Sequence, residues 1–242
     1  MFKLHIIPAL KDNYIWLLSN TDNQAIIIDP SEADTVINYV KKNDLSPIGI
    51  LLTHLHIDHI GGVTKLKERY NHIEVYGPSE INLPINYIDN QNTISIGNFT
   101  FDLISVPGHT SGHLAYYCHP YLFTGDALFS AGCGRVFEKT YQKMLNSLNK
   151  LKQLPDDVLI CAGHEYTYSN LLFASTMLPE DENIKSYLNT INENSITLPS
   201  NLATEKLINL FLRCSDKKLQ QKFKFNNELD LFIFFRSQKD NF

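Results

Sequence analysis

The sequence predicts a mixed α/β body followed by a smaller helical tail. Three observations carry that reading. Short runs rich in Val, Ile, Phe or Tyr recur through the first half, helical patterns fall between some of them, and beyond about residue 168 the patterns are nearly all helical. The body is assigned to residues 1–167 and the tail to residues 168–242.

In chain order, YIWLLS (14–19), AIIID (25–29) and IGILLTH (48–54) read as strands, because each is apolar or β-branched and bounded by polar residues. Between the second and third, DTVINYVKK (34–42) repeats apolar residues at Val36, Ile37 and Val40; after the third, VTKLKERY (63–70) does so at Val63, Leu66 and Tyr70. FTFDLISV (99–106) and LAYYC (114–118) are further strands, and TYQKMLNSLNKLKQLP (140–155) is a longer amphipathic helix. DVLICAG (157–163) is a strand leading into His164. The tail holds LLFASTML, ENIKSYLNTI, EKLINLFLR, KKLQQKFKF and LDLFIFFRSQK, all helical in pattern, and no internal repeat or low-complexity linker interrupts the chain.

The 242 residues are 43% hydrophobic and 19% charged, enough to bury a substantial core without disulfides. A net charge of −5 excludes a general affinity for nucleic acid or acidic membranes. Residues 1–167 carry 12 Lys and Arg against 17 Asp and Glu, whereas residues 168–242 carry 9 of each, so the tail is the less acidic part. All nine histidines lie in the body. Cys118, Cys133, Cys161 and Cys214 form no C-x-x-C pair, which fits a reducing compartment. The amino terminus lacks the apolar stretch of a secretory signal, and no run approaches the ~18–20 apolar residues of a membrane span. The expectation is a cytoplasmic monomer.

LLTHLHIDHIGG (51–62) puts His54, His56, Asp58 and His59 into six positions. In an extended strand residues two apart face the same side, so His54 and His56 are expected to meet one ion while Leu55 points into packing. Asp58 and His59, just before Gly61 and Gly62, are expected to approach from another direction and serve a neighbouring ion. LISVPGHTSGH offers His109, LFTGD offers Asp126 and DVLICAGHEY offers His164, and such strand ends converge on one edge of a layered α/β fold. Packing this cluster as neutral core groups requires a partner for every ring nitrogen, and an aspartate among them is costly unless a cation is present. Imidazole and carboxylate suit Zn, Fe or Mn. A single His at a strand end is ordinarily a hydrogen-bonded structural residue; His5, His72, His113 and His119 stay in that class, as do Cys133, Glu138 and Glu165.

T-H-x-H-x-D-H resembles the signature of the metallo-β-lactamase superfamily. PGHTSGH, FTGDALFSAGCGR, CAGHEYT and the terminal RSQKDNF resemble the glyoxalase II branch, the hydroxyacylglutathione hydrolases, over essentially the whole chain. That resemblance implies a four-layer αββα sandwich followed by a helical domain that supplies part of the substrate site. It implies one metal held by His54, His56 and His109 and a second held by Asp58, His59 and His164, with Asp126 bridging; Asp58 and Asp126 are the catalytic carboxylates. Glutathione contacts are carried over to Arg135, Phe137, Tyr166, Arg236 and Lys239.

The implied cofactor is two divalent transition metals per chain, zinc first, with iron or manganese as alternatives. The implied activity is hydrolysis of S-acylglutathione thioesters, foremost S-D-lactoylglutathione to D-lactate and glutathione in methylglyoxal detoxification, with that small molecule as partner. Relatives often carry Lys at 135, Tyr at 137 and Pro at 210, so Arg135, Phe137 and Leu210 depart from the pattern, as does Leu55; Phe137 lacks a hydroxyl. Arg236 and Lys239 also have an ordinary explanation as a solvated helix end, where basic residues favour the macrodipole. The rivals are a mono-iron glutathione persulfide dioxygenase of the same superfamily, a metal-dependent nuclease and a non-catalytic metal-binding protein. Retention of Asp58, His59 and His164 weighs against the first, the acidic balance against the second, and the full set of seven positions against the third.

Overall fold

The computed structural model describes residues 2–242. One six-stranded sheet runs in chain order through β1 (Lys3–Ala9), β2 (Asn13–Ser19), β3 (Gln24–Ile28), β4 (Ser46–Leu51), β5 (Glu74–Gly77) and β6 (Asn86–Tyr87). The first three strands are antiparallel, and β3 to β6 are parallel, joined by crossovers that carry α1 (Ala33–Lys42), then α2 (Ile57–Ile60) and α3 (Val63–Arg69). The second sheet starts with the antiparallel β7 (Thr93–Ile96), β8 (Phe99–Ser105), β9 (Leu114–Cys118) and β10 (Tyr121–Gly125). A small hairpin follows, β11 (Leu128–Phe129) and β12 (Gly132–Cys133), and then α4 (Tyr141–Lys152) leads to β13 (Leu159–Ala162), which lies parallel to β10.

Beyond β13 come α5 (Thr167–Met177), α6 (Glu182–Leu188), β14 (Ser200–Asn201), α7 (Leu202–Ile208), α8 (Lys217–Lys222) and α9 (Glu228–Asp240). β14 pairs with β13, so this stretch contributes the sixth strand of the second sheet. Four of its helices start on a side-chain cap: Asp181, Asn201, Asp216 and Asn227 each accept from a backbone N–H of the first turn.

The layering follows from which side chains meet. β2 is buried along its whole length because its two faces have different partners. Tyr14, Trp16 and Leu18 share a core with Phe101, Tyr116 and Phe123 of the opposite sheet, whereas Ile15 and Leu17 pack with Val36 and Val40 of α1. A strand covered on both sides reads as a continuous apolar run, as YIWLLS does. Leu145 and Leu148 of α4 and Phe232 and Phe235 of α9 belong to the same core as the inter-sheet residues. Helices therefore cover both sheets, and the αββα sandwich with its helical continuation is observed.

Two local expectations are corrected. IGILLTH is not a strand to its end: β4 stops at Leu51, because the Thr53 N–H bonds the Asp29 carboxylate instead of a neighbouring strand. His54 and His56 consequently lie in a loop, Leu55 is 40% exposed rather than packed, and Asp58 and His59 sit on the one-turn helix α2. EKLINLFLR is not one helix: Asn209 takes an extended backbone (φ −83°, ψ 109°) and caps a separate 3₁₀ turn, Leu210–Arg213.

The indole N–H of Trp16 donates to the Ala162 carbonyl at 2.9 Å, stitching β2 to β13 across the sandwich. Trp16→Phe is expected to lower stability by about 1–3 kcal/mol through the orphaned carbonyl. Trp16→Ala should cost about 3–5 kcal/mol. Urea denaturation of the two variants at matched metal content checks the difference.

Candidate metal centre

The seven side chains singled out in the sequence converge at one end of the sandwich, and the loops that carry them follow β4, β8, β10 and β13. Gly125 makes the turn into Asp126 with φ +48°, a conformation that disfavours any side chain. Gly163 precedes His164 where a Cβ would stand 2.6 Å from Asp126 Oδ1 and from the His59 ring. The chain has no room for a side chain at either position.

Outer hydrogen bonds fix how four of the five rings face. His109 Nδ1 is 2.9 Å from the Arg135 carbonyl, His59 Nδ1 2.9 Å from Asp29 Oδ2, and His164 Nδ1 2.9 Å from Asp12 Oδ1. Each of these partners only accepts, so each Nδ1 carries the proton. Thr53 donates its hydroxyl to Asp29 at 2.6 Å and therefore accepts from His54 Nδ1 at 2.9 Å. Four Nε2 atoms are thus lone-pair donors turned inward. His56 enters by its other nitrogen, with Nδ1 3.0 Å from His54 Nε2 and 3.1 Å from His109 Nε2.

The two oxygens of Asp126 face different groups. Oδ2 is 3.4 Å from His109 Nε2 and 4.0 Å from His54 Nε2, while Oδ1 is 3.2 Å from His59 Nε2 and 3.4 Å from His164 Nε2. Asp58 Oδ2 joins the second group, 3.3 Å from His164 Nε2, and is held there by the Asn13 amide at 3.1 Å. His59 Nε2 and Asp126 Oδ1 are buried without a hydrogen-bond partner among the described residues. Lone pairs facing one another about 3 Å apart in a buried site repel unless a cation lies between them. The His/Asp groups fit a metal site.

Electrostatics separate the two groups. Burial, and then the neighbouring imidazoles, push the basicity of His54 down, and burial does the same to His109. At His164 burial acts downward as well, but the Asp126 and Asp58 carboxylates prevail and raise it to about 10. His59 is likewise raised against burial by Asp126 and Asp29, and Asp126 is held well below the usual carboxylate range by His59 and His164. Without a metal, protons occupy the second group more readily than the first.

His113 plays a supporting part, as expected from the sequence. It is buried, stacks on His54 at 4.6 Å, and its Nε2 accepts from the Asp126 N–H at 3.1 Å. Glu165 is structural too, accepting from the Tyr14 hydroxyl and from Thr197. Sequence reasoning missed Asp12, Asn13, Asp29 and Thr53, which orient the inner ring. Asp29 carried a signal: it ends the apolar run AIIID just as Asp126 and His164 end theirs.

The residues carried over for glutathione line one cleft of about 420 Å³ together with His56, Asp58, His109, Asp126 and His164. Tyr166 stacks flat on His164 at 4.7 Å, and Phe137 stands 59% exposed at the rim, 5.4 Å from the His109 ring. Arg236 is not a solvated helix end. It is buried, donates Nη1 to the Cys133 carbonyl at 2.8 Å, and pairs with Asp240, which also takes Arg135 Nε at 3.3 Å. Lys239 donates to the Ser169 carbonyl and lies against the Phe173 and Phe242 rings.

Residues 10–100 and 82–164 match the metallo-beta-lactamase superfamily, and residues 165–242 match the family described as hydroxyacylglutathione hydrolase C-terminus. The chain is 48% identical to the hydroxyacylglutathione hydrolase of Pectobacterium atrosepticum over 98% of both chains. It is 46% identical to that of Buchnera aphidicola, covering 98% of this chain and 99% of the other. Among solved structures, the B3 metallo-beta-lactamase BLEG-1 superposes with a TM-score of 0.63 at 31% identity, covering 68% of this chain and 92% of that one. ETHE1 from Myxococcus xanthus superposes with a TM-score of 0.72 at 23% identity over 98% and 90%, a likeness of fold. With nearly half its residues identical to such enzymes from end to end, and with the tail matched as well as the sandwich, the chain belongs to the hydroxyacylglutathione hydrolase family of the metallo-β-lactamase superfamily.

Proposed function

We propose that the protein hydrolyses S-acylglutathione thioesters, foremost S-D-lactoylglutathione to D-lactate and glutathione, at a centre holding two divalent transition metals, zinc first. The observation that carries this reading is Asp126, whose two oxygens each face a separate set of imidazoles at the floor of a cleft with basic walls. His54, His56 and His109 would hold one ion, Asp58, His59 and His164 the other, and Asp126 both. When bound, such ions act as Lewis acids and lower the pKa of water toward neutrality.

The chain's own groups do the rest. Asp29, Asp12, Thr53 and the Arg135 carbonyl keep the imidazoles in one tautomer with Nε2 inward, so the ring is preorganised before substrate arrives. Arg135, Arg236 and Lys239 supply positive charge for the two carboxylates of glutathione, and Tyr166 and Phe137 offer flat surfaces to its backbone. A thiol pKa of roughly 8.5 makes the departing thiolate a good leaving group, so expulsion needs no dedicated acid. Residues 1–167 form the metal-holding unit and carry Arg135, Phe137 and Tyr166, and residues 168–242 complete the substrate-holding cleft with Arg236 and Lys239.

Purified protein is expected to carry two transition metals per chain, and Asp126→Ala to lower occupancy and nearly abolish turnover. Elemental analysis beside an assay of thioester absorbance checks this, and full activity with one tightly held ion would sink the two-metal reading. Several S-acylglutathiones should be cleaved while a β-lactam and RNA stay intact. Oxygen uptake with glutathione persulfide in place of thioester cleavage would instead support the dioxygenase.

Lys239 provides a pH signature. Burial, and then the charge of Arg236, push its ammonium down to about 8, so the charge is present below that pH and lost above it. KM for S-D-lactoylglutathione should therefore rise through about pH 8 with kcat little changed, by about 10- to 150-fold for a charge-assisted bond of ~1.5–3 kcal/mol. Lys239→Arg should remove the break, because guanidinium stays charged throughout; a break that persists in that variant would assign it to another group.

A further inference from the structure

The loop between Asp126 and Arg135 is held from outside by an unusual set of contacts. Its near end is Asp126 and its far end is the Arg135 carbonyl that bonds His109. Between them, five consecutive residues are each bonded by a polar side chain from beyond residue 168. Asn209 donates to the carbonyls of Phe129 and Gly132, at 3.1 and 3.0 Å. Asn170 donates to the Ser130 carbonyl at 3.0 Å. Glu205 accepts from the Ser130 hydroxyl and the Ala131 N–H, both at 2.7 Å, and Arg236 donates to the Cys133 carbonyl.

All four side chains are buried, Glu205 and Asn209 completely. A buried carboxylate is costly unless its acceptors are filled, and a buried amide unless its donors are; here the Ser130 hydroxyl and the loop backbone fill them. The loop has little freedom of its own. Ala131 has φ +54°, and Gly134 lies so close to the Asp126 carbonyl that a Cβ there would overlap it. Residue 134 also packs on His109, where a Cβ would come within 3.0 Å of Nδ1.

We propose that Glu205 and Asn209 are positioning residues for the metal centre: by moulding residues 129–133 they set the Arg135 carbonyl that orients His109 and the peptide that carries Asp126. The tail thus tunes metal affinity although it provides no ligand to the metal. This rests on the two-metal reading above. Contacts that orient a ligating His typically change metal affinity about 10- to 100-fold when lost.

The test compares zinc affinity, measured by competition with a chromophoric chelator and resolved by native mass spectrometry, in wild type, Glu205→Gln, Asn209→Asp and Leu219→Ala. Leu219 is a buried residue of α8 that makes no hydrogen bond to the loop, so its truncation controls for lost stability alone. Glu205→Gln replaces one acceptor by an amide N–H, so that either the Ser130 hydroxyl must reverse its bond or the Ala131 N–H loses its partner, and Asn209→Asp removes both donated bonds. Each should weaken one zinc at least tenfold, whereas Leu219→Ala should stay within about twofold of wild type at a comparable fall in Tm. In His109→Ala, adding Glu205→Gln should bring a smaller further loss than in wild type, since part of its effect runs through His109. Unchanged affinity in Glu205→Gln and Asn209→Asp, a loss in Leu219→Ala as large as theirs, or full additivity with His109→Ala would overturn the proposal. A wild type that binds fewer than two ions would defeat the two-metal reading instead, and the clamp would still be judged on the ratio of affinities at the ion that binds.

Discussion

Five imidazoles and two carboxylates with their lone pairs turned toward one another are unstable in a low-dielectric interior, and the rest of the structure is arranged around that conflict. Four of the five rings, His54, His59, His109 and His164, are held against their neighbours by a bond on the far side, so the repulsion is met there by rigid partners rather than by rotation of the rings. His54 shows how far this reaches: its proton rests on Thr53, whose hydroxyl is committed to Asp29, which also holds His59. One buried carboxylate therefore sets the tautomer of a ring in each group.

Such a site dictates the backbone beneath it. Strands from both sheets must end at the same level, and the chain must turn there without side chains in the way. Gly125 and Gly163 meet that demand, and their backbones bond one another, the Gly163 N–H donating to the Gly125 carbonyl at 2.9 Å. The same need explains why β4 stops early: Leu52 still bonds the Tyr76 carbonyl of β5, but Thr53 leaves the ladder to reach Asp29. The local propensity of LLTH for a strand yields to the geometry of the ligands.

Most of the fold was legible, because strands covered on both faces and amphipathic helices leave strong patterns. YIWLLS, LAYYC and the α4 segment lie where their periodicity puts them. Short edge strands left less trace: β6 and β14 have two residues each, and β1 carries Pro8 and His5 within its run. Four of the seven inner residues were legible because three His and one Asp in six positions are hard to explain as packing, and His109, Asp126 and His164 because each follows an apolar run. Their outer partners were not, since a lone Asp12 or Asn13 in KDNY differs in no way from a surface turn, and only its distance from His164 or Asp58 gives it meaning. The environment of Arg236 was equally hidden, because helical periodicity places a residue on a face without saying what that face meets.

Arg236 also shows why the tail is more than an appendage. Its guanidinium spends one arm on the Cys133 carbonyl and the others on Asp240, so a substrate carboxylate arriving in the cleft meets a cation already partly neutralised. Arg135 shares the same Asp240 oxygen and is the more exposed of the two arginines. The rim therefore presents less free charge than its count of basic residues implies, and the pull on an anionic ligand falls mainly on Arg135 and Lys239. Removing residues 236–242 strips that rim, yet it also releases the Cys133 carbonyl in the loop that reaches His109. The basic rim and the imidazole cluster are thus joined through the same few buried bonds, and the two cannot be separated by cutting the chain at its end.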